Sequence, residues 1–244
     1  VSTPRTRSRR TGRGWRVLGL AVLALLVLAI VVDRAAVHIA QNVAASKLQQ
    51  RENLPSKPSV KISGFPFLTQ LASGTFDDVT LDARELVVSG GGRSVTISSL
   101  HAELRGLSVS RDLSSATAAS GTGRAVISYP ALSRSVGTPV VWAGNSADAR
   151  GRVRASKTVT VLGQSFSGSV SAEVVVSGRN TVSFASPRVQ VSGVTVPQIV
   201  TEQFAGLLPP LTLNGLPSGL SVRQVTADAG GLVVDLIGHD VTVK

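Results

Sequence analysis

From Val60 to Lys244 apolar side chains recur at every second position in short runs separated by Gly, Ser, Asn and Pro. A period of two is the signature of a strand with one wet face and one apolar face, so this chain has to build antiparallel sheet. Val79, Leu81 and Ala83 alternate with Thr80, Asp82 and Arg84; Val95 and Ile97 alternate with Thr96 and Ser98; Val170, Ala172, Val174 and Val176 give the clearest case. Further runs at Leu104–Val109, Gly123–Tyr129, Thr158–Leu162, Thr181–Phe184, Val189–Val196, Leu220–Ala227 and Leu232–Leu236 bring the expectation to about ten strands. Tight turns at Ser89–Arg93 and Asp228–Gly231 predict hairpins, hence a meander. The stretches Ser110–Gly123 and Tyr129–Lys157 read as loop-rich. With 0 Cys there is no disulfide, no thiolate metal site and no cysteine nucleophile.

One interruption has a helical period. Pro197 opens a segment with Val200, Phe204, Leu207 and Leu208 on one stripe, closed by Pro209-Pro210. Long antiparallel sheet plus apolar-striped helices predicts an α+β, mainly antiparallel β fold in which a curled sheet wraps around helices. Its inward side chains are mostly Val, Ala, Ser, Thr and Gly, with 4% aromatics in the chain. Such small residues predict either a lengthwise apolar slot of the shape an acyl chain fits, or a close-packed sandwich.

The N-terminal part obeys different rules. Val17–Val32 is an unbroken run of 16 residues without a polar side chain, framed by Trp15-Arg16 and Asp33-Arg34. As a helix it reaches about 24 Å, a little short of the ~30 Å hydrocarbon core, so Trp15 and Arg16 would complete the crossing by snorkelling. Six arginines precede or border the run with no acid among them, which leaves +5 of the +11 net charge for everything after Val32. The basicity is therefore a tail that holds the N-terminus in the cytoplasm and sends the rest outside, into a periplasm-like space, rather than a nucleic-acid footprint. The run reads as an uncleaved signal anchor, because cuts after Ala35 or Ala36 put Asp33 or Arg34 where a small residue is needed; later cuts near Ala40 or Ala45 leave the cleaved alternative open. Beyond it Ala36, Ile39, Ala40, Val43, Ala44 and Leu48 form a helical stripe, either a stalk or core helix or one that lines an apolar groove. The expected organisation is a basic cytoplasmic tail (1–16), a single-pass anchor in the cytoplasmic membrane (17–34), an amphipathic juxtamembrane helix and linker (35–58) and a β-rich domain (59–244).

The stretch Ser63-Gly64-Phe65-Pro66-Phe67-Leu68-Thr69-Gln70-Leu71-Ala72-Ser73-Gly74-Thr75-Phe76-Asp77-Asp78-Val79 resembles the first motif of the actinobacterial LmeA-like phospholipid-binding family. The ending, with Leu207-Leu208-Pro209, Leu216-Pro217, Leu220 and Gly231-Leu232-Val233-Val234, is similar to that family's closing proline-bearing loop and hairpin. The likeness spans residues 35–244 and is weakest in the middle. It implies an envelope protein that binds phospholipid, is linked to cell-wall lipoglycan assembly and has a fold similar to tubular lipid-binding proteins. Read physically, Phe65 and Phe67 flank a proline between Gly64 and Gly74, and serve either as core plugs or as a lipid-contacting rim. Phe65, Phe67, Leu68, Leu71, Phe204, Leu207 and Leu208 are the candidate lipid-binding residues. Lys57, Lys61, Arg84 and Arg105 are available to a phosphate, although surface cations are usually just solvated.

A 16-carbon chain exposed to water costs on the order of 10 kcal/mol, whereas moving it from bilayer to apolar slot is near neutral. Such a protein needs no fuel, and no nucleotide motif is present. Enzyme readings fail on the residues. His38, His101 and His239 show no ligand spacing, and no Gly-x-Ser-x-Gly elbow occurs. Asp77 and Asp78, adjacent on a strand, point apart. The Gly90-Gly91-Gly92 run lacks the Lys-Ser/Thr of a phosphate loop. The expectation is a lipid binder or carrier with phospholipid and membrane as partners, no nucleic acid, and no catalytic residue, metal or cofactor. A scaffold with a closed β core and a hydrolase with a diffuse site are the alternatives.

Overall fold

A computed structural model describes residues 12–51, 53–90, 93–110, 114–145, 150–161, 164–191, 206–213 and 216–243. The apolar run and the periodic segment after it form one uninterrupted helix, α1 (Gly12–Arg51), about 60 Å long at 1.5 Å per residue. The alternating segment then gives β1 (Ser59–Ser63), a two-turn helix α2 (Phe67–Ser73), and the long strands β2 (Thr75–Gly90), β3 (Arg93–Val109) and β4 (Ala116–Ile127). Helix α3 (Tyr129–Val136) leads to β5 (Val140–Trp142), β6 (Arg152–Val161), β7 (Gln164–Ser177) and β8 (Thr181–Val191). The short β9 (Leu211–Thr212) and the hairpin β10 (Ser218–Asp228) and β11 (Gly231–Val243) complete the chain.

The fold is mostly antiparallel β with a curled, half-barrel sheet and three helices among the described residues. The strands divide into two sheets, ordered β1-β2-β3-β4-β11-β10 and β5-β6-β7-β8-β9. The second is a strict meander inserted between β4 and the closing hairpin. Both hairpins expected from turn residues are present, with Gly90 paired to Arg93 and Asp228 to Gly231. The β2–β3 ladder is interrupted between Phe76 and Asp78 and between Arg84 and Leu86, where Gly106 and Glu85 have φ of 60° and 55°. Departures from the pleat of this kind bend a sheet, and here they accompany its curl.

Alternation sorts the side chains as the sequence pattern requires. On the outer face Asp82, His101, Arg124 and Asp235 stand in one row across β2, β3, β4 and β11. The inner faces meet in one cluster: Val95 and Ile97 of β3, Ala125 and Ile127 of β4, and Leu232, Val234 and Leu236 of β11, against Val153, Val170, Val174 and Val182 of the second sheet. Burying each of these branched side chains contributes about 1.5–3 kcal/mol. Helix α3 adds Ala131 and Leu132 to the cluster. The sheets are also tied by backbone bonds, Val222 N–H to Arg179 O and Ala227 N–H to Arg150 O, both 2.7 Å.

Two expectations need correction, and a third lies largely outside the described residues. The segments read as loop-rich contain the start of β4, all of α3 and β5, and most of β6. On α1 the packed face is Asp33, Val37, Gln41 and Ala45, one position off the apolar stripe, while Ile39 and Val43 are 65% and 49% exposed. The reason is that α1 uses polar groups to dock: Gln41 Nε2 donates to Ile62 O at 3.2 Å. The helix expected from Pro197 lies outside the described residues as far as Ala205; at its expected end Gly206 and Leu207 form a turn.

Candidate functional site

The Gly-Phe-Pro-Phe motif builds the corner where α1, β1 and α2 meet. Pro66, at the N-cap of α2, offers no capping side chain, and the first turn of α2 carries no acid. Asp33 of α1 supplies the missing acceptor: Leu68 N–H donates to its Oδ1 at 2.9 Å. A carboxylate on the first turn of a helix answers both the orphan N–H and the positive end of the dipole. Asp33 is therefore buried although it follows directly on the apolar run. Helix α2 ends at Gly74, whose φ of 70° suits a residue without Cβ. Gln70, also buried, accepts from Asp77 N–H at 3.0 Å and fixes the step from α2 into β2. Asp33 Oδ2 and Gln70 Nε2, both buried, have no partner among the described residues.

This corner separates the two phenylalanines. Phe67 is 1% exposed and stacks on Phe76 with ring centroids 6.2 Å apart. Phe65 is 56% exposed, with the Arg34 guanidinium 5.1 Å from its ring centroid. Leu68 and Leu71 are 41% and 52% exposed. Beside them a groove of about 690 Å³ runs between α1 and β1, lined among others by Arg34, His38, Gln41, Lys61, Ile62 and Phe65, with no carboxylate in its walls among the described residues. Of the other candidates, Leu208 is buried in the main core cluster and Leu207 packs partly buried against it. Phe204 lies outside the described residues. The structure thus brings Phe65, Leu68 and Leu71 together with Phe67 beneath them, and places Leu207 and Leu208 in the core.

On the inner face of the first sheet, Val79, Leu104, Gly121 and Gly238 form one cross-strand row, and Leu81, Ala102, Gly123 and Leu236 the next. Val79, Leu81, Ala102 and Leu104 are half-buried and lie outside the main cluster. Small residues here do not by themselves leave a void. A Cβ on Gly121 would come within 3.1 Å of Leu104 Cδ2 and 3.3 Å of Val241 Cγ2, and one on Gly123 within 3.3 Å of Leu236 Cδ1. At these two positions longer neighbours lean into the space that composition assigned to a slot.

The outer face holds the charges. His101 Nδ1 lies 2.6 Å from Asp82 Oδ1 and its Nε2 3.5 Å from Glu103 Oε1, and the Asp82 hydrogen bond raises the imidazole above its ordinary value. Arg124 pairs with Asp235 at 2.8 Å and Arg105 with Asp78 at 3.3 Å. Asp78 thus faces Arg105 of β3 while the Asp77 carboxylate lies beside Gly64, so the two carboxylates diverge. Two open grooves lie on this face, of about 580 Å³ along Lys57, Arg84 and His101 and about 410 Å³ along His101, Arg124 and Arg223. The three histidines stand on α1, β3 and β11, and among the described residues no group of His, Asp and Glu is placed to hold a metal ion.

The sequence model of the LmeA-like phospholipid-binding family matches residues 31–237. The chain belongs to this family. Comparison with curated proteins and with solved structures finds no match. The family match begins just before Asp33 and ends within β11, and so takes in the α1 residues that dock α2 and the β-rich part up to residue 237. Membership of a phospholipid-binding family supports lipid binding by this chain and points to binding rather than turnover. The residues that sequence reasoning missed are Asp33, Arg34 and His38. The signal available was a lone acid placed where the apolar run stops, followed one turn later by a second basic or ring-nitrogen group.

Proposed function

We propose that this LmeA-like protein is a single-pass membrane protein of the cell envelope that takes phospholipid acyl chains into its β-rich domain and carries or presents them for envelope lipoglycan assembly. The observation that carries the reading is the family match over residues 31–237, joined to an N-terminal helix that presents its apolar side chains outward. An 18-residue window of that helix has a mean hydropathy of 2.5, so α1 is long and apolar enough to cross a membrane. The arginine tail keeps the N-terminus inside and the domain of residues 59–244 outside. Phe65, Leu68 and Leu71 receive the chain at the surface and Phe67 plugs the floor beneath α2; of the remaining candidates Phe204 contributes a further apolar contact, while Leu207 and Leu208 hold the core against which the lipid-binding face is built. The half-buried Val79 and Leu104, with Leu81 in the neighbouring row, extend the apolar face along the sheet. Because transfer from bilayer to apolar protein surface is close to neutral, the protein works without fuel, lowering the barrier to desorption while gradients set direction.

Native mass spectrometry of the full chain, released from a mild detergent after purification from a bacterial membrane, tests this. The expected spectrum carries adducts with the masses of phospholipids. A bare protein mass, together with no uptake of labelled phospholipid from vesicles, would contradict the proposal and favour a scaffold whose sheets pack only on themselves.

A further inference from the structure

We infer that the corner of α1, β1 and α2 is a seat on the outer leaflet of the bilayer, with its apolar tip in the acyl boundary and its basic groove on anionic lipid phosphates. This rests on the reading of α1 as a membrane anchor and goes beyond it, since an anchored domain could equally swing free on its stalk. The exposed apolar surface of α1 runs from Leu20 to Val32, and the next residue, Asp33, holds the first turn of α2 through Leu68 N–H at 2.9 Å. Helix α2 is therefore pinned at the level where α1 leaves the hydrocarbon. At that level α2 presents an apolar face. It buries Phe67 and Gln70 against the domain and turns Leu68 and Leu71 outward, alongside Phe65. Three large apolar side chains left in solvent at the foot of a membrane helix add apolar surface at the level where it leaves the hydrocarbon.

Charge selects the occupant. The groove beside Phe65 carries Arg34 and Lys61 with the ring nitrogens of His38, and among the described residues no acid lines it. Arg34 lies over the Phe65 ring, so a cation and an aromatic sit side by side as at a lipid interface, where phosphate is above and acyl chain below. Such a seat fixes the α2 end of the domain against the leaflet, so that lipid enters there without crossing water. The far end of β2, with exposed Val87, then points away from the membrane, separated from Thr75 by roughly 40 Å of strand at ~3.3 Å per residue.

The chain has 0 Cys, so single cysteines label cleanly. Leu68→Cys, Leu71→Cys and Val87→Cys variants of the full chain, each carrying an environment-sensitive dye, are reconstituted in vesicles of phosphatidylcholine and phosphatidylglycerol containing a lipid-borne quencher in the shallow acyl region. The seat predicts at least threefold stronger quenching at positions 68 and 71 than at 87. Equal quenching at all three overturns it. Alkaline carbonate washing separates the two failures. A chain stripped from the vesicles refutes the anchor and the seat together, whereas a retained chain whose dyes at 68 and 71 see only water refutes the seat alone and leaves lipid binding standing. A double variant, Arg34→Gln with Lys61→Gln, should reduce quenching in phosphatidylglycerol vesicles to the level in pure phosphatidylcholine. If inorganic phosphate at matched concentration has the same effect on the unmodified groove, the groove takes a free anion rather than a headgroup, and the lipid assignment of the groove falls.

Discussion

Phe65 and Phe67 are two residues apart in one motif, yet the structure gives them opposite tasks, and substitution should separate them. Phe67 is 1% exposed and stacked on Phe76, so Phe67→Ala removes the full burial of a ring and leaves a cavity under α2. Large-to-small changes of this kind cost about 3–5 kcal/mol. For a chain of this size 1 kcal/mol moves Tm by about 2–4 °C, so the expected fall is about 6–20 °C. Phe65 is 56% exposed and its recorded ring contact is with Arg34. Phe65→Ala therefore forfeits at most about 1 kcal/mol of cation–π and partial burial, a shift of a few degrees. The assay is thermal unfolding of the full chain in detergent micelles by circular dichroism, with hydrogen exchange reporting α2 and the start of β2. Phe67→Ala should strip amide protection from α2 before the sheets unfold, while Phe65→Ala should keep protection and lose lipid uptake. If Phe67→Ala leaves Tm and protection unchanged, or Phe65→Ala lowers them as far, the division between plug and rim is refuted.

Three further outcomes follow from groups outside that corner. Arg152 is buried and its guanidinium donates to Glu173 Oε1 at 2.6 Å and to the carbonyls of Ser171 and Ser186 at 3.2 and 3.0 Å. Glu173→Gln leaves a buried cation without its counter-charge and should cost about 3 kcal/mol by urea denaturation, whereas replacing both residues by apolar ones should recover much of that. Tyr129 Oη donates to Asp228 O at 2.5 Å and clasps α3 to the β10–β11 turn; burial, then the Asp228 charge, raises its phenol well above the ordinary value of 10.0. Tyr129→Phe should therefore lower stability by about 1 kcal/mol equally across neutral and mildly alkaline pH. Because the Asp82 bond raises His101 above 6.5, its contribution is complete below that pH and fades as pH climbs through the raised value. A nuclear magnetic resonance titration of the imidazole should show the raised midpoint, and Asp82→Asn should return it towards 6.5.

Legibility in the sequence followed the reach of each physical signal. Period two is local and strong, so the antiparallel fold class, both hairpin turns and the β10–β11 pair could be read directly. Partition into two sheets could not, because it depends on which strand edges meet: β4 pairs with β11, more than a hundred residues later in the chain. Ser110–Gly123 looked like loop because Gly121 and Gly123 weaken strand propensity, but their small size is what lets Leu104, Leu236 and Val241 close over them. Helix α3 left cues that were passed over: Ser128 at its N-cap, Pro130 in the first turn, and Gly137 at φ 74° after its last residue. The candidate lipid residues were found as a motif, but their assignment to plug or rim required knowing which side of α2 meets β2. The stripe on α1 misled by one position because docking there is achieved with Asp33 and Gln41, polar residues that a search for apolar period discounts.

The most direct test of the account is to locate a bound phospholipid on the chain. Full-length protein in vesicles is supplied with a phospholipid bearing a photoactivatable group near the end of one acyl chain, irradiated, digested and mapped by mass spectrometry. The account predicts adducts on the α2 segment around Phe65 to Leu71 and on inner-face positions of the β-rich domain such as Leu81 and Leu104. Adducts confined to Leu20–Val32 of α1, with none on the domain, would mean that the protein only sits in the membrane and does not take lipid into its fold.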